Sequence, residues 1–233
     1  MPVEKLRLQE AEERYARLDA KFLEPAGLQL REEIKSVERW AYLGDIANLL
    51  LIGKTFIPGV NKVDREHGIG YFTGKELFRT RRLAEVFIGG TKKPHVDKLT
   101  VRSGDVLVTC AGTAGKVAFA GEDLARNAVT HDAIRIMSKS DVPSGYVFAF
   151  LSSEFGRVLV QRCSYGSVHS RLHDTQLARI PIPIPSDGGA DIAARVQNAF
   201  LKRSRALEQE TEAISRFTDA LMTCNDGVHG SHG

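Results

Sequence analysis

A glycine-rich turn that carries a lysine lies between two apolar runs in the stretch SGDVLVTCAGTAGKVAF, residues 103–119. Glycine N–H groups and a lysine in such a loop are typical of a phosphate-binding site. A Walker A loop also requires a glycine at position 110 and a hydroxyl at position 117, where this chain has Cys110 and Val117. The helix that should follow is missing, because residues 117–121 indicate a strand that ends in a turn. The sequence therefore predicts a β-hairpin whose tip, with Lys116, can contact a nucleic-acid phosphate.

The sequence lacks the other motifs of common enzyme chemistry. It contains no GxGxxG after a strand, no HExxH, no GxSxG, and no Asn-Pro-Pro-Tyr or Asp-Pro-Pro-Tyr motif for base methylation. The three cysteines, Cys110, Cys163 and Cys224, have no CxxC spacing, which predicts free thiols in a reducing cytoplasm. We therefore expect no catalytic residue, no bound metal ion and no cofactor in this chain.

Basic residues are concentrated in the middle of the chain. The net charge is +3, but residues 53–135 contain 14 Lys or Arg against 9 Asp or Glu. Residues 136–183 contain 5 against 3, whereas residues 1–52 contain 8 against 10 and residues 184–233 contain 5 against 7. A basic middle favours a polyanionic partner, although an ordinary solvated surface explains a bias of this size equally well.

Hydrophobic patterning predicts a cytoplasmic protein with no membrane segment. The longest apolar runs, such as 49–52 and 146–151, are far too short to span a bilayer, and the charge-dense first twenty residues exclude a secretory signal. The patterning also divides the chain into four segments. They are an N-terminal amphipathic helical segment (1–39), a β-rich globule (40–185), a long helix (186–222) and a disordered tail (223–233).

The globule is predicted to contain short strands, a helix and an extended proline segment. Apolar residues at helical spacing indicate one continuous helix over 145–161, and alternate prolines at 181, 183 and 185 allow only an extended edge segment. Runs of β-branched and aromatic residues between glycine turns indicate strands at 45–52, 70–72, 106–109, 116–120 and 133–137.

The C-terminal segment repeats with alternating spacings of three and four residues over four heptads, which is typical of a coiled-coil seam. The polar residues Arg203 and Glu210 occupy core positions of this repeat, where they would set register or partner choice. A surface helix that packs on its own domain remains an alternative. The predicted seam residues are Val196, Phe200, Arg203, Leu207, Glu210, Ile214, Phe217 and Leu221.

Several motifs in order resemble those of a known family. They are RLDAKFLEP (17–25), LGDIANLLLIGKTF (43–56), VRSGDVLVTCAGTAGKVAF (101–119), and the helix, Gly-Ser turn, short helix and proline-rich exit of 146–185. Together they resemble one target-recognition unit, with its spacer helix, of the specificity (S) subunit of type I restriction-modification enzymes. The similarity extends from about residue 17 to residue 222.

The resemblance implies a fold and a function. It implies an α+β target-recognition globule with a few helices, followed by a long C-terminal coiled-coil helix. It also implies sequence-specific binding to double-stranded DNA that directs methyltransferase (M) and restriction (R) subunits to a target. The subunit itself would catalyse nothing, and S-adenosylmethionine would bind to the M subunit. Family members usually contain two recognition units, whereas the similarity here covers one, so the chain is a natural half-subunit, a fragment or the recognition part of a related system. We expect a half-subunit to form a homodimer through the C-terminal helix, although pairing of this helix with another subunit remains open.

The resemblance and the charge pattern together suggest the DNA contacts. Phosphates attract Lys and Arg, and base edges are read by Arg and by other polar side chains. For each of these residues a solvated charge or a structural hydrogen bond is an equally good explanation. The predicted DNA-binding residues are Lys54, Lys62, Arg65, Lys75, Arg79, Arg81, Arg82, Lys92, Lys93, Thr113, Lys116, Tyr165, Ser167, His169 and Arg171.

Two other functions remain open from the sequence. One is a coiled-coil adaptor that does not bind DNA. The other is a small nucleotide-binding enzyme that uses the loop 112–116.

Overall fold

A computed structural model describes residues 22–52, 62–89, 96–139, 141–166 and 171–229 of the chain. The side chains of Asp97, Lys98 and residues 223–229 are not described. The helix predicted before Phe22 lies outside the described residues. Among the residues that the structure describes, no helix is both long and apolar enough to cross a membrane.

Short strands and helices alternate along the chain before one long C-terminal helix. This α+β architecture confirms the predicted fold class. The elements are α1 (Pro25–Lys35), β1 (Trp40–Tyr42), α2 (Leu43–Ile46), β2 (Ala47–Leu51), β3 (Ile69–Phe72), β4 (Val86–Ile88), α3 (Val96–Leu99), β5 (Val106–Thr109), β6 (Val117–Phe119), β7 (Ala128–Val129), β8 (Ala133–Ser138), α4 (Ser144–Ser152), α5 (Glu154–Arg162), α6 (Asp174–Leu177), β9 (Pro181–Pro183) and α7 (Ala190–His229).

A four-stranded antiparallel sheet with the order β2-β8-β5-β6 forms the centre of the globule. All residues of β5 are buried, because the strand is covered on both faces. Val106 and Val108 pack in one hydrophobic cluster with helices α4 and α5, and Leu107 packs in a second cluster with the sheet β4-β3-β7. This two-sided burial explains why a run of β-branched and aliphatic residues, rather than strict alternation, forms this strand.

The proline-rich segment forms the predicted extended edge. Strand β9 pairs antiparallel with β1 in a two-stranded sheet, with Trp40 opposite Pro183. Proline has no N–H to donate, so Pro181 and Pro183 fit a strand that pairs on one side only. Just beyond it, Ile184 N donates to Arg39 O at 2.8 Å.

The helix predicted over 145–161 is wrong as a single element. The chain breaks at Ser153, which has extended backbone angles and caps α5 through its side-chain oxygen, an acceptor for Gly156 N at 3.1 Å. Phe155 and Val158 are apolar residues of that predicted helix, but both are exposed in α5, Phe155 by 54%.

The first half of α7 packs on its own globule. Ala193 and Ser204 are buried, and the Phe200 ring lies 4.9 Å from the Phe119 ring and 5.4 Å from the Phe148 ring. A Cβ on Gly145 would lie 2.8 Å from Ala193 O, so α4 and α7 approach closely only because this residue is glycine. This half of α7 is therefore a surface helix that packs on its own domain, which was the alternative to the predicted coiled-coil seam.

The second half of α7 projects beyond the globule. The helix continues to His229, past the predicted end at residue 222 and into the segment predicted as a disordered tail. Predicted seam positions Ile214, Phe217 and Leu221 are exposed. In the packed half, Ser204 rather than Arg203 faces the globule, and Arg203 and Glu210 are exposed. Their predicted place in the core of a coiled coil with a partner helix stays a prediction.

Replacing Phe200 by alanine should lower the free energy of unfolding by roughly 2–4 kcal/mol, because the substitution removes the ring that joins α7 to the core. Chemical denaturation in urea measures this change. Phe155→Ala is the matched control, since this exposed ring should contribute within about 0.5 kcal/mol. Equal losses in the two variants would mean that α7 is not anchored as described.

Candidate nucleic-acid interface

The antiparallel order of the central sheet brings several turns to one edge. The carboxyl ends of β2 and β5 and the amino ends of β6 and β8 all meet there, as the register pairs Leu51 with Ile134 and Thr109 with Ala133. We call this side the loop edge. It comprises the turns 110–116, 130–132 and 73–78, together with residues 165–166 and 171–173. The opposite side, where α7 packs, is called the helix edge.

The hairpin turn 110–116 is held by its own backbone and by α5. Gly115 N donates to Thr109 O at 2.8 Å, and Gln161 Nε2 donates to Ala114 O at 3.2 Å. Gly115 has φ +90°, a backbone conformation that favours glycine over residues with a side chain. Thr113 and Lys116 are exposed on the turn. The hairpin predicted from the sequence is confirmed, and no helix follows it.

Two further turns meet the hairpin at the loop edge. Cys110 N donates to Asp132 O at 2.9 Å, and Thr130 N donates to Phe72 O at 2.8 Å, which joins the amino end of β8 to the carboxyl end of β3. Lys75 is exposed on the turn after β3. On the same turn, the Phe78 ring lies 5.5 Å from Lys116 Nζ.

The segment around Tyr165 reaches the same edge through Cys110. Tyr165 and Arg171 exchange backbone hydrogen bonds of 2.9 and 2.8 Å, and Leu172 N donates to Cys110 O at 3.0 Å. Gly166 has φ +92°, which allows the tight turn. The Tyr165 ring stacks on the His173 ring, with 5.3 Å between centroids. Arg171 is therefore exposed close to the hairpin turn.

The loop edge thus gathers five of the predicted DNA-binding residues from three separate parts of the chain. Its exposed cations can neutralise phosphates, and its hydroxyl and guanidinium groups can donate to base edges. The five residues are Lys75, Thr113, Lys116, Tyr165 and Arg171.

The three predicted arginines that follow Lys75 in the sequence, Arg79, Arg81 and Arg82, each form an ion pair. Arg82 is 5% exposed, donates to Phe119 O at 3.0 Å and pairs with Asp123 at 3.3 Å, so its prediction as a base-reading residue is wrong for this structure. Burial lowers the pKa of the Arg82 guanidinium, which the charge of Asp123 partly opposes. Arg79 pairs with Glu85, and Arg81 pairs with Glu210 of α7 at 3.4 Å. Arg81 and Arg82 therefore connect the globule to its helix.

The remaining predicted residues fall into two groups. Lys62 forms a bridge with Ile88, and Arg65 lies 6.0 Å from the Phe87 ring, so both are near the amino end of β3, away from the loop edge. The others lie outside the described residues, and they are Lys54, Lys92, Lys93, Ser167 and His169.

The loop edge contains a buried thiol, that of Cys110. Burial, followed by the charge of Asp132, raises the pKa of the Cys110 thiol to about 11, so the thiol stays protonated and unreactive at neutral pH. In the described ranges, no group of three or more His, Cys, Asp or Glu side chains is placed to hold a metal ion.

Sequence reasoning missed two residues of this edge. His131 and Asp132 lie on the turn between β7 and β8, with side chains 40% and 50% exposed. The only available signal was a polar pair directly before an apolar strand, which is common at any turn. These two residues lie at the loop edge because β8 is a central strand of the sheet. The order of strands in a sheet cannot be predicted from the local sequence.

Comparison with known proteins agrees with this fold. The chain belongs to the family of type I restriction modification DNA specificity domains, whose family model matches residues 41–216. A search among curated proteins gives no match.

Solved structures of specificity subunits resemble the chain at low sequence identity. A structure on complex assembly and conformational transition of the type I R-M system is 16% identical, with a TM-score of 0.50, over 95% of this chain and 56% of that one. The HsdS subunit from Thermoanaerobacter tengcongensis is 16% identical, with a TM-score of 0.47, over 89% of this chain and 50% of that one. The type I S subunit from M. genitalium is 14% identical, with a TM-score of 0.40, over 67% and 37%. The chain thus spans about half the length of the first of these structures.

Proposed function

We propose that this chain recognises double-stranded DNA through its loop edge and delivers a type I restriction-modification complex to the target. The observation that carries the proposal is the convergence of exposed Lys75, Lys116 and Arg171 at one edge of the central sheet. These residues are far apart in the sequence. The antiparallel central sheet, the parallel pairing of β3 with β7 and the hydrogen bond from Leu172 N to Cys110 O bring them to the same edge. Membership of the DNA specificity family supports the same function.

The loop edge is suited to the two kinds of contact that a specific DNA complex needs. Lys75 and Lys116 provide flexible positive charges for phosphates, which position the duplex without reading it. Arg171 is held at a fixed place by its backbone hydrogen bonds with Tyr165. The exposed guanidinium that this fixed backbone carries can donate two parallel hydrogen bonds to guanine O6 and N7 in the major groove.

Catalysis and cofactor binding are assigned to partner subunits in this proposal. The chain would act without catalysing a reaction, together with methyltransferase and restriction subunits, and S-adenosylmethionine would bind to the methyltransferase. The hairpin turn 110–116 does not favour a nucleotide-binding enzyme, because it has neither the helix nor the hydroxyl of a phosphate-binding loop.

Substitutions at the loop edge should separate the two kinds of contact. Lys116→Ala should weaken binding to all duplexes by a similar factor and reduce the slope of log affinity against log salt concentration by about 1. Arg171→Ala should reduce discrimination between target and non-target duplexes by about 1–3 kcal/mol. Fluorescence anisotropy with the complex of this chain and its methyltransferase partner measures both quantities.

Arg195→Ala provides the control for these variants. Arg195 is an exposed arginine on α7 whose side chain pairs with Asp191 at 2.9 Å, away from the loop edge. Its removal should leave affinity, salt slope and discrimination unchanged. Unaltered binding in Lys116→Ala and Arg171→Ala as well would contradict the proposed interface.

We also propose that the projecting half of α7 joins two copies of the chain, because it exposes apolar residues in a regular row. Ile214, Phe217 and Leu221 recur at spacings of three and four and have no cover from the globule among the described residues. A dimer would bring two recognition units together with twofold symmetry.

Phe217→Glu should convert the dimer to a monomer, because it places a charge in an apolar helix seam. Multi-angle light scattering at equal protein concentration measures the mass. Phe155→Glu is the matched control, since it changes an exposed phenylalanine of α5 and should leave the dimer intact. An unmodified protein that stays monomeric at all concentrations, or a Phe217→Glu variant that stays dimeric, would be evidence against this pairing.

A further inference from the structure

Asp132 occupies a central place at the loop edge. It directly precedes β8, and β8 lies between β2 and β5 in the four-stranded sheet. The hairpin turn that carries Lys116 adjoins it, because Cys110 N donates to Asp132 O at 2.9 Å. The charges of Asp132 and Arg171 both act on the Cys110 thiol, which places the two side chains on the same part of the edge.

The backbone around Asp132 is held from both sides. Asp132 N donates to Thr130 Oγ1 at 3.1 Å, and Thr130 N donates to Phe72 O at 2.8 Å. The next residue, Ala133, is fully buried in the sheet. Because this backbone is fixed, the short side chain of Asp132 cannot move far from a duplex that binds at the loop edge. Its carboxylate must therefore be compatible with the DNA group that it contacts.

The carboxylate of Asp132 is exposed and lightly paired. Its side chain is 50% exposed, and the nearest ion-pair partner among the described residues is His131, at 3.8 Å from Nε2 to Oδ2. This negative charge lies at the same edge as the cations Lys75, Lys116 and Arg171, on a surface suited to a polyanion. A carboxylate that faced a phosphate would repel it and weaken binding, whereas one that faces a base edge can accept a hydrogen bond from an amino group.

We propose that Asp132 is a specificity-determining residue that accepts a hydrogen bond from the N4 amino group of a cytosine in the major groove of the target. Cytosine N4 is the amino donor with which Asp and Glu pair in that groove. The flanking cations hold the phosphates on either side, and the acidic residue selects the base between them. This inference rests on the proposed function of the loop edge as the DNA interface.

Competition binding tests the inference with the complex that the full chain forms with its methyltransferase partner. The competitors are the target duplex and duplexes that each differ from it at one base pair. Asp132→Ala should reduce discrimination at one cytosine position by roughly 5- to 150-fold and leave the other positions unchanged. Asp132→Asn should move the preference at that position towards adenine, since Asn pairs with adenine N6 and N7.

Two controls keep the outcomes distinct. Asp191→Asn removes an exposed carboxylate on α7 and should leave discrimination unchanged, and thermal unfolding of each variant verifies that it is folded. The inference is wrong if the Asp132→Ala variant discriminates at every base pair of the target as well as the unmodified protein does. It is also wrong if the variant binds every duplex more tightly by one common factor, as removal of a phosphate-facing charge would cause. If Lys116→Ala and Arg171→Ala also bind DNA normally, the loop edge is not the DNA interface. If these two variants bind poorly while Asp132→Ala discriminates normally, only the proposed role of Asp132 is wrong.

Discussion

Antiparallel pairing in the sheet β2-β8-β5-β6 is the constraint on which the other features depend. Because each strand runs opposite to its neighbour, alternate connections must emerge at the same edge. The hairpin turn 110–116 and the turn before β8 therefore meet, although they are distant in the sequence. The segment around Tyr165 joins them through the hydrogen bond from Leu172 N to Cys110 O. Burial of β5 on both faces fixes the register of these strands, since a slip by one residue would exchange Val106 and Val108 with Leu107 between two different clusters.

The same sheet separates two surfaces with different roles. The loop edge presents cations and hydrogen-bond donors, and the helix edge presents Phe119, Gly121 and Asp123 to α7. At the helix edge, Ser204 Oγ accepts from Asp123 N at 3.3 Å, and the buried pair of Arg82 and Asp123 lies beside Phe200. These contacts therefore hold the first half of α7 on the globule. A 40-residue helix is about 60 Å long, so its projecting half can carry a fixed recognition unit well away from a partner.

Local patterns predicted β2, β3, β5, β6, β8, the hairpin and the proline edge, because β-branched runs, glycine turns and missing N–H groups act over a few residues. The short strands β1, β4 and β7 were not predicted. Features that depend on distant contacts were missed or misassigned. Arg82 was predicted at the surface from its charged neighbours, but its partner Asp123 lies 41 residues away. The break at Ser153 interrupts a good helical period because the N-cap of α5 competes with helix continuation. Asp132 could not be found from its sequence neighbours, since its place depends on strand order.

The central claim is that DNA meets the loop edge while α7 stays free for protein partners. Hydrogen–deuterium exchange of the methyltransferase complex, with and without its target duplex, tests this claim most directly. The account predicts that DNA slows exchange of backbone amides in 111–116, 130–132 and 171–173, and leaves residues 197–211 of α7 unchanged. Protection by DNA along α7, with none at the three loop segments, would contradict the account.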